Sequence, residues 1–597
     1  MTGERLWPAV LLAWGLAATV LCAALAPTIT ALRFPDPDDA MRLLEVRDWL
    51  AGQSWWDVAQ HRLNAGDYPM HWSRLVDLPL AAVLLVFDPL VGEPIATRIA
   101  MTLVPMLTLL GVMAAVARVS QRLTDMETAR LSMLLTPLSI PLIYQLRPMR
   151  IDHHGWQIVL GMAAVALLLA PPTRRRGALA GLSLAILVTI SMEGLPIAAT
   201  TVAVAALGWA IEPRRRTFLI ALIGTFFVAA VAFHIATRGP AMFAPACDAV
   251  SPAWLAVLGV AVIGLTGAAM AAPASLYARL ALLGGAGIAC LVTLRTVGPA
   301  CLQGPFATLD PLVRTLWYEQ VTEGLPLWRQ TPSWAVITIA LPLVGLAGSI
   351  RAMRASEGEA RARWLILLGV LIPATLLCCL VNRTGATANA LALPGAASLL
   401  LAMLVRARAV RRVLPRIAAT AGALLVASPG LAAGAALAVL TSTTPVRASS
   451  VRIAGRERPG CETLDQIRAL GRLRPATIFL PLDVTPDLIA TTAHRAISGS
   501  YHRNGAAIHA VLAAFTGSPD QAERIVRRSG AAYVAACPAL NETELYKTVA
   551  PNGLWARLES GQRIGWLAPV ALPGSPVLVW RVIGSSRRPL SQQASSH

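Results

Sequence analysis

Acids and imidazoles gather at a few places in a chain otherwise poor in charge, and those places are where chemistry is available. The segment Phe34-Pro-Asp-Pro-Asp-Asp-Ala-Met-Arg42 sets Asp36, Asp38 and Asp39 side by side. Like charges this close repel unless a cation or a proton sits among them. Further on, Arg147-Pro-Met-Arg-Ile-Asp-His-His-Gly155 joins Asp152 to His153 and His154. A carboxylate with imidazoles is a ligand set for Mn²⁺, Mg²⁺ or Zn²⁺. A third segment carries Asp310 to Arg314, followed by Glu319-Gln-Val-Thr-Glu323. Glu193 stands in Ser191-Met-Glu-Gly-Leu-Pro196, and Arg383 in Asn382-Arg-Thr-Gly385, where a guanidinium could meet a phosphate. Each alone has a plainer reading: a solvated acidic loop, a helix cap at Asp152, glutamates that cap or solvate helix ends. Trp55 and Trp56 read as interface anchors.

What positions these residues is a membrane. The chain has 597 residues, 56% hydrophobic and 14% charged, with mean hydropathy +0.60. A soluble protein cannot hide that much apolar side chain. Many apolar runs reach about 15–23 residues, the length that crosses hydrocarbon, and in lipid such runs must be helices. Spans are expected near 8–30, 95–117, 131–146, 156–171, 177–192, 196–211, 217–236, 253–272, 280–297, 333–350, 364–381, 388–405 and 414–440. The run 78–92, with Asp88 and Pro89, reads as a helix lying at the interface. The first span lacks a clear cleavage site and reads as a retained helix.

The net charge of +19 does not point to nucleic acid, because the arginines cluster in short loops: 174–176, 214–216, 351–363 and 406–416. That is the positive-inside pattern. With thirteen spans and 78–92 outside the count, all four clusters fall on the cytoplasmic side. The loops 31–77, 147–155, 193–195, 298–332 and 382–387, and everything after 441, fall on the other. The tail 441–597 changes character: strands are expected at 476–482, 531–536, 564–568 and 577–582, and a helix at 519–529, a small α/β domain. Cys247 with Cys301, and Cys461 with Cys537, could pair as disulfides if that side is oxidising, whereas Cys378 and Cys379 read as packing residues.

Acids, imidazoles and a guanidinium from at least four loops therefore share one face. Carboxylates and imidazole can hold a divalent ion, arginine and the ion can neutralise a lipid-linked phosphate leaving group, and a spare carboxylate can take a proton from an acceptor. That chemistry suits glycosyl transfer from a lipid-phosphate sugar.

The pattern resembles the catalytic subunit of oligosaccharyltransferases, among the GT-C membrane glycosyltransferases. Asp36 followed six residues later by Arg42, the Asp152-His153-His154 motif and Val321-Thr-Glu323 stand in the order and loops of that family's motifs. Thirteen spans and a soluble exported domain match as well. The resemblance implies a GT-C-type polytopic α-helical protein, with residues 1–440 the transmembrane domain and 441–597 a periplasmic α/β domain. It implies that Asp36, Asp152, His154 and Glu323 surround Mn²⁺ or Mg²⁺, that Arg42 and Arg383 bind the donor phosphate, and that Asp36 orients the acceptor, a role open to Asp38 or Asp39. His153, Glu193 and Glu319 are further candidates. The family's Trp-Trp-Asp-Tyr-Gly motif is absent; the tail carries Ser498-Gly-Ser-Tyr-His-Arg-Asn504 instead, so the acceptor stays open between a glycan, a lipid and a protein. The expected partners are a lipid-linked sugar donor, that acceptor and membrane lipids, in a bacterial inner membrane. The alternative is a transporter or flippase of a lipid-linked glycan, which should carry ionisable groups near the middle of its spans.

Overall fold

Runs of Leu, Ala and Val become helices here because a helix satisfies its own backbone where lipid cannot. The computed structural model describes residues 6–304, 306–430, 432–434, 450–453 and 456–584. Among them nine helices are long and apolar enough to cross a membrane: Leu6–Ala24, Glu93–Leu123, Met192–Ile211, Pro213–Ala241, Pro252–Ala271, Leu276–Val297, Pro332–Arg354, Gly358–Leu380 and Asn382–Arg408. Four expected spans differ. Those at 156–171 and 177–192 are the shorter helices His154–Leu168 and Arg174–Ile190. The one at 131–146 is not continuous: helix Met126–Leu135 gives way to the turn Thr136–Leu138 and resumes as Ile140–Leu146. Pro137 and Pro141 withdraw backbone donors there and break the ladder. The span at 414–440 begins as helix Val413–Ala427, and 431 and 435–440 lie outside the described residues. The segment 78–92 is helix Asp77–Val91, 15 residues long.

The chain divides into two units. The first comprises 1–58, 71–308 and 321–445, and the second 59–70, 309–320 and 446–597. The sequence put the boundary at 440, and the structure moves two loop segments, 59–70 and 309–320, into the second unit.

In the first unit, helices approach closely through small residues. A Cβ at Gly177 would stand 2.3 Å from the Phe218 carbonyl oxygen, and one at Gly181 would stand 2.2 Å from that of Leu222. Helix Arg174–Ile190 therefore packs backbone to backbone on helix Arg216–Arg238, as small residues spaced four apart allow in lipid. Gly348 and Gly395 do the same for Pro332–Arg354 and Gly385–Arg408. Two turns at one end use a single device, a helix, a three-residue 3-10 turn and a new helix, at Met192–Gly194 and Asn382–Thr384. Cys247 and Cys301 form a disulfide in this unit.

The second unit holds a hairpin, β1 (Ser450–Ile453) with β2 (Arg456–Pro459), and a five-stranded sheet. The sheet strands are β3 (Thr477–Phe479), β4 (Arg495–Ala496), β5 (Tyr533–Ala536), β6 (Leu567–Val570) and β7 (Leu578–Val582). Their order is β4-β3-β5-β7-β6, parallel on both sides of β3 and antiparallel beyond β5. The strand expected at 564–568 starts later, at Leu567, and that at 476–482 stops before Pro481. Helix Pro519–Arg528 lies where expected. The buried Phe515 ring stacks on Tyr546 at 5.6 Å, and Cys461 is bonded to Cys537. The segment 59–70 joins this unit through Tyr68, whose buried hydroxyl lies 3.1 Å from Ser498 Oγ and 2.9 Å from the Gly499 carbonyl oxygen.

Candidate active site

Five segments of the first unit build one cluster: the cap at Asp36, the loop 150–154 and the turns that carry Glu193, Glu323 and Arg383. Asp36 caps helix Pro37–Leu50, its carboxylate accepting from Asp38 N at 3.0 Å. The cap sets Asp38 and Asp39 in the first turn, where the helix dipole favours negative charge. Asp39 is fully buried and accepts from the backbone of Ile151 at 2.8 Å and Asp152 at 3.2 Å, tying the first loop to the second.

Arg150 is the hub. Its Nη1 lies 3.2 Å from Asp36 and 3.1 Å from Asp39, its Nη2 lies 3.8 Å from Asp152, and its Nε donates to Gln145. The sequence reading did not single out Arg150, although three aspartates in one short segment called for a cation nearby. Arg42 is buried, 3.1 Å from Asp77, 3.8 Å from Glu45 and 3.9 Å from Asp152, with its guanidinium over the Trp72 ring at 4.2 Å.

Beyond Asp152 the chain closes a square of charge. Asp152 Oδ1 lies 2.5 Å from His153 Nδ1, and its Oδ2 lies 3.3 Å from His154 Nε2. Glu193 Oε2 stands 3.6 Å from both His153 Nε2 and His154 Nδ1. Glu193 Oε1 meets Arg383 Nη1 at 2.9 Å, and the same nitrogen lies 3.4 Å from Glu323. Asp152, His153 and His154 offer ligand atoms within 4.8 Å of one another. Of the four residues the resemblance assigned to the metal, the structure puts Asp152 and His154 in this group. Asp36 pairs across Arg150 and Glu323 across Arg383, while His153 and Glu193, named only as further candidates, complete the square. Glu319 belongs to the second unit, in the turn Tyr318–Gln320.

Exposure separates the groups. The side chains of Asp39, Arg42, Arg150 and Asp152 are at most 1% exposed, against 23% for Asp36, 31% for Glu193, 28% for Glu323 and 21% for Arg383. The first set holds the cluster together, and the second can touch a ligand. Burial, then the carboxylates of Asp36, Asp152 and Glu323, holds Asp38 well above the usual carboxylate range. Asp152 runs the other way: against its burial, the two imidazoles and Arg150 hold it well below that range. Against the burial of its ring, Asp152 lifts His153 to about 10.

These residues fit a divalent cation. Four imidazole nitrogens face carboxylate oxygens, but two neutral imidazoles have only two N–H groups between them. Asp152 Oδ2 and His153 Nε2 are buried with no hydrogen-bond partner. A positive charge, proton or metal, satisfies this arrangement, and nitrogen with oxygen donors suits Mn²⁺ or Zn²⁺ better than Mg²⁺. Beside the square lies a small, partly open cleft lined by His154, Glu193 and Arg383 together with Leu187, Ile197 and Leu377.

No protein-family model matches the sequence, and no curated protein matches it. Solved structures match along nearly the whole chain. An archaeal oligosaccharyltransferase, AglB from Archaeoglobus fulgidus, in complex with an inhibitory peptide and a dolichol-phosphate, aligns with TM-score 0.65 and 13% identity over 98% of this chain and 75% of its own. The fold is that of the GT-C membrane glycosyltransferases. The Archaeoglobus enzyme in complex with Zn and sulfate has the same GT-C fold and aligns with TM-score 0.59 and 14% identity, over 96% of this chain and 74% of that one. The mycobacterial arabinofuranosyltransferase AftD aligns with TM-score 0.50 and 15% identity, over 98% of this chain and 42% of that one. On this GT-C scaffold the chain is a multi-pass membrane protein.

Proposed function

We propose that this protein is a glycosyltransferase that moves a sugar or oligosaccharide from a polyprenyl-phosphate or polyprenyl-diphosphate donor to an acceptor on the periplasmic face of a bacterial inner membrane. The observation that carries the reading is the square of Asp152, His153, Glu193 and His154 beside the partly exposed Arg383, at a cleft whose lining also includes Leu187, Ile197 and Leu377. Polar groups for a phosphate and an apolar wall for a prenyl chain meet in one place.

Asp152, His153, His154 and Glu193 would hold Mn²⁺ or a like ion, with Asp36 and Glu323 within the same acidic cluster. Such an ion supplies Lewis-acid charge that lowers the cost of a leaving phosphate. Arg383 binds a donor phosphate oxygen, and its pairing with Glu193 and Glu323 sets its direction. Arg42 and Arg150 orient the carboxylates. Asp36, partly exposed and fixed as a cap, orients the acceptor, a role open also to Asp38, which burial and then the neighbouring carboxylates hold well above the usual carboxylate range. The acceptor is a glycan, a lipid or a protein other than the one a Trp-Trp-Asp-Tyr-Gly motif would bind.

The test is transfer by purified protein supplied with a cell-derived pool of lipid-linked sugars, with Mn²⁺ and with EDTA. Metal-dependent loss of sugar from the lipid pool supports the reading, and the site of the label identifies the acceptor. No transfer under any condition, with the lipid-linked sugar instead crossing reconstituted vesicles, rejects it in favour of a flippase.

A further inference from the structure

Gln157 stands one turn beyond His154 on helix His154–Leu168. Its Oε1 lies 3.4 Å from His154 Nδ1. The other end of the amide, Nε2, is closed off from solvent and has no hydrogen-bond partner in the protein. Turning the amide over exchanges the two atoms and leaves the same account, one end on the imidazole and one end without a partner. A buried polar group left unpaired is costly, so a position that keeps one without folding need invites a ligand.

The surroundings specify that ligand. Gln157 lines the same cavity as Arg383, Thr384 and Thr387, and Ile158 and Leu377 supply apolar wall. A guanidinium, two threonines and an amide suit an anion with several acceptor oxygens, and the apolar wall suits a chain attached to it.

We propose that Gln157 is a donor-binding residue: its amide donates to a phosphate oxygen of the prenyl-linked sugar, while its other end holds the His154 ring in one tautomer. A metal-ligating imidazole needs its second nitrogen fixed in this way. The proposal rests on the lipid-phosphate glycosyltransferase reading and adds the residue that recognises the donor's head.

The experiment uses full-length protein in detergent and a long-chain polyprenyl monophosphate as probe, with the matching prenyl alcohol as a control. Binding is read by quenching of tryptophan fluorescence. Gln157→Met keeps the shape and removes both donors; Gln157→Glu keeps the shape and adds a charge that repels phosphate. Loss of one hydrogen bond to a charged group corresponds to weakening of about tenfold or more for methionine, and the glutamate should weaken binding further. Melting midpoints without probe should match the wild type, and the donor KM of Gln157→Met should rise more than its kcat falls. If the methionine variant is unstable, Gln157→Asn, one methylene short, is read in its place with weakened binding expected. Equal probe binding by wild type and variants overturns the proposal and leaves the glycosyltransferase reading intact. Equal affinity of the wild type for the alcohol and the phosphate also overturns it. A wild type that binds no prenyl phosphate overturns the glycosyltransferase reading itself.

Discussion

Arg150 faces Asp36, Asp39 and Asp152 from a position 1% exposed. Removing a buried charge leaves its partners uncompensated, at a cost of about 3–5 kcal/mol. Arg150→Met should therefore lower the unfolding free energy by that order, measured by denaturant or thermal unfolding in detergent. Asp152→Ala should act differently. It removes the carboxylate nearest both imidazoles, 2.5 Å from His153 and 3.3 Å from His154, so turnover should vanish while protein level in the membrane and detergent elution stay near wild type. Unchanged turnover in that variant would take Asp152 out of the mechanism. Two buried neighbours of one cluster thus separate in assay, one read mainly in stability and the other in activity.

Helix Arg174–Ile190 delivers Glu193, because the turn Met192–Gly194 follows it directly. The height of that glutamate depends on how closely the helix lies against Arg216–Arg238. Gly181→Leu puts a side chain where a Cβ alone would stand 2.2 Å from a backbone oxygen. Overpacking against backbone should cost about 3 kcal/mol, the upper end for such insertions, and should lower turnover by displacing Glu193. The melting midpoint and the transfer rate check both parts. In the second unit, helix Asn541–Val549 depends on Glu542, which accepts from the backbone of Leu482 at 2.8 Å and Asp483 at 2.9 Å. Burial, and then the nearby Asp483 carboxylate, pushes Glu542 up to about 8. This value lies above that of a free glutamate, about 4.3, so folding favours the protonated form. The stability it contributes is complete below about pH 4, declines as pH rises and is gone above about pH 8. Hydrogen exchange across 541–549 in the intact chain should quicken over that window, and Glu542→Gln should flatten the dependence.

At the scale of the whole molecule the threading makes a topological prediction. Arginine clusters at 174–176 and 351–363 should lie inside and the second unit outside. The two disulfides, Cys247–Cys301 and Cys461–Cys537, agree with an oxidising compartment around the loops that carry them. In intact cells an impermeant thiol reagent should label Glu544→Cys and leave Arg175→Cys unlabelled until the membrane is opened. The reverse result would mean that the orientation is inverted, and labelling of both or of neither would mean that the span count between them is off by an odd number.

Length and hydropathy alone determined the membrane fold, because about twenty apolar residues in lipid have one way to satisfy their backbone. They also put the acids, the imidazoles and Arg383 at one end of the helices, since short loops leave such groups nowhere else to go. Both cysteine pairs could be named in advance, as could the α/β character of the tail. The break at Thr136–Leu138 was signalled by Pro137 and Pro141, though the apolar run concealed it. What the sequence could not determine was which polar groups meet. Loop order fixes the end of a helix but not its rotation, and His153 or Glu193 enters the square only once the helices have packed through Gly177 and Gly181. Arg150 and Gln157 emerged in the same way, because burial among carboxylates and an amide left unpartnered exist only after the chain has closed around them. The passage of 59–70 and 309–320 into the second unit was equally invisible, since pairing such as that of Tyr68 with Ser498 joins residues far apart in sequence. Tertiary packing alone made those contacts.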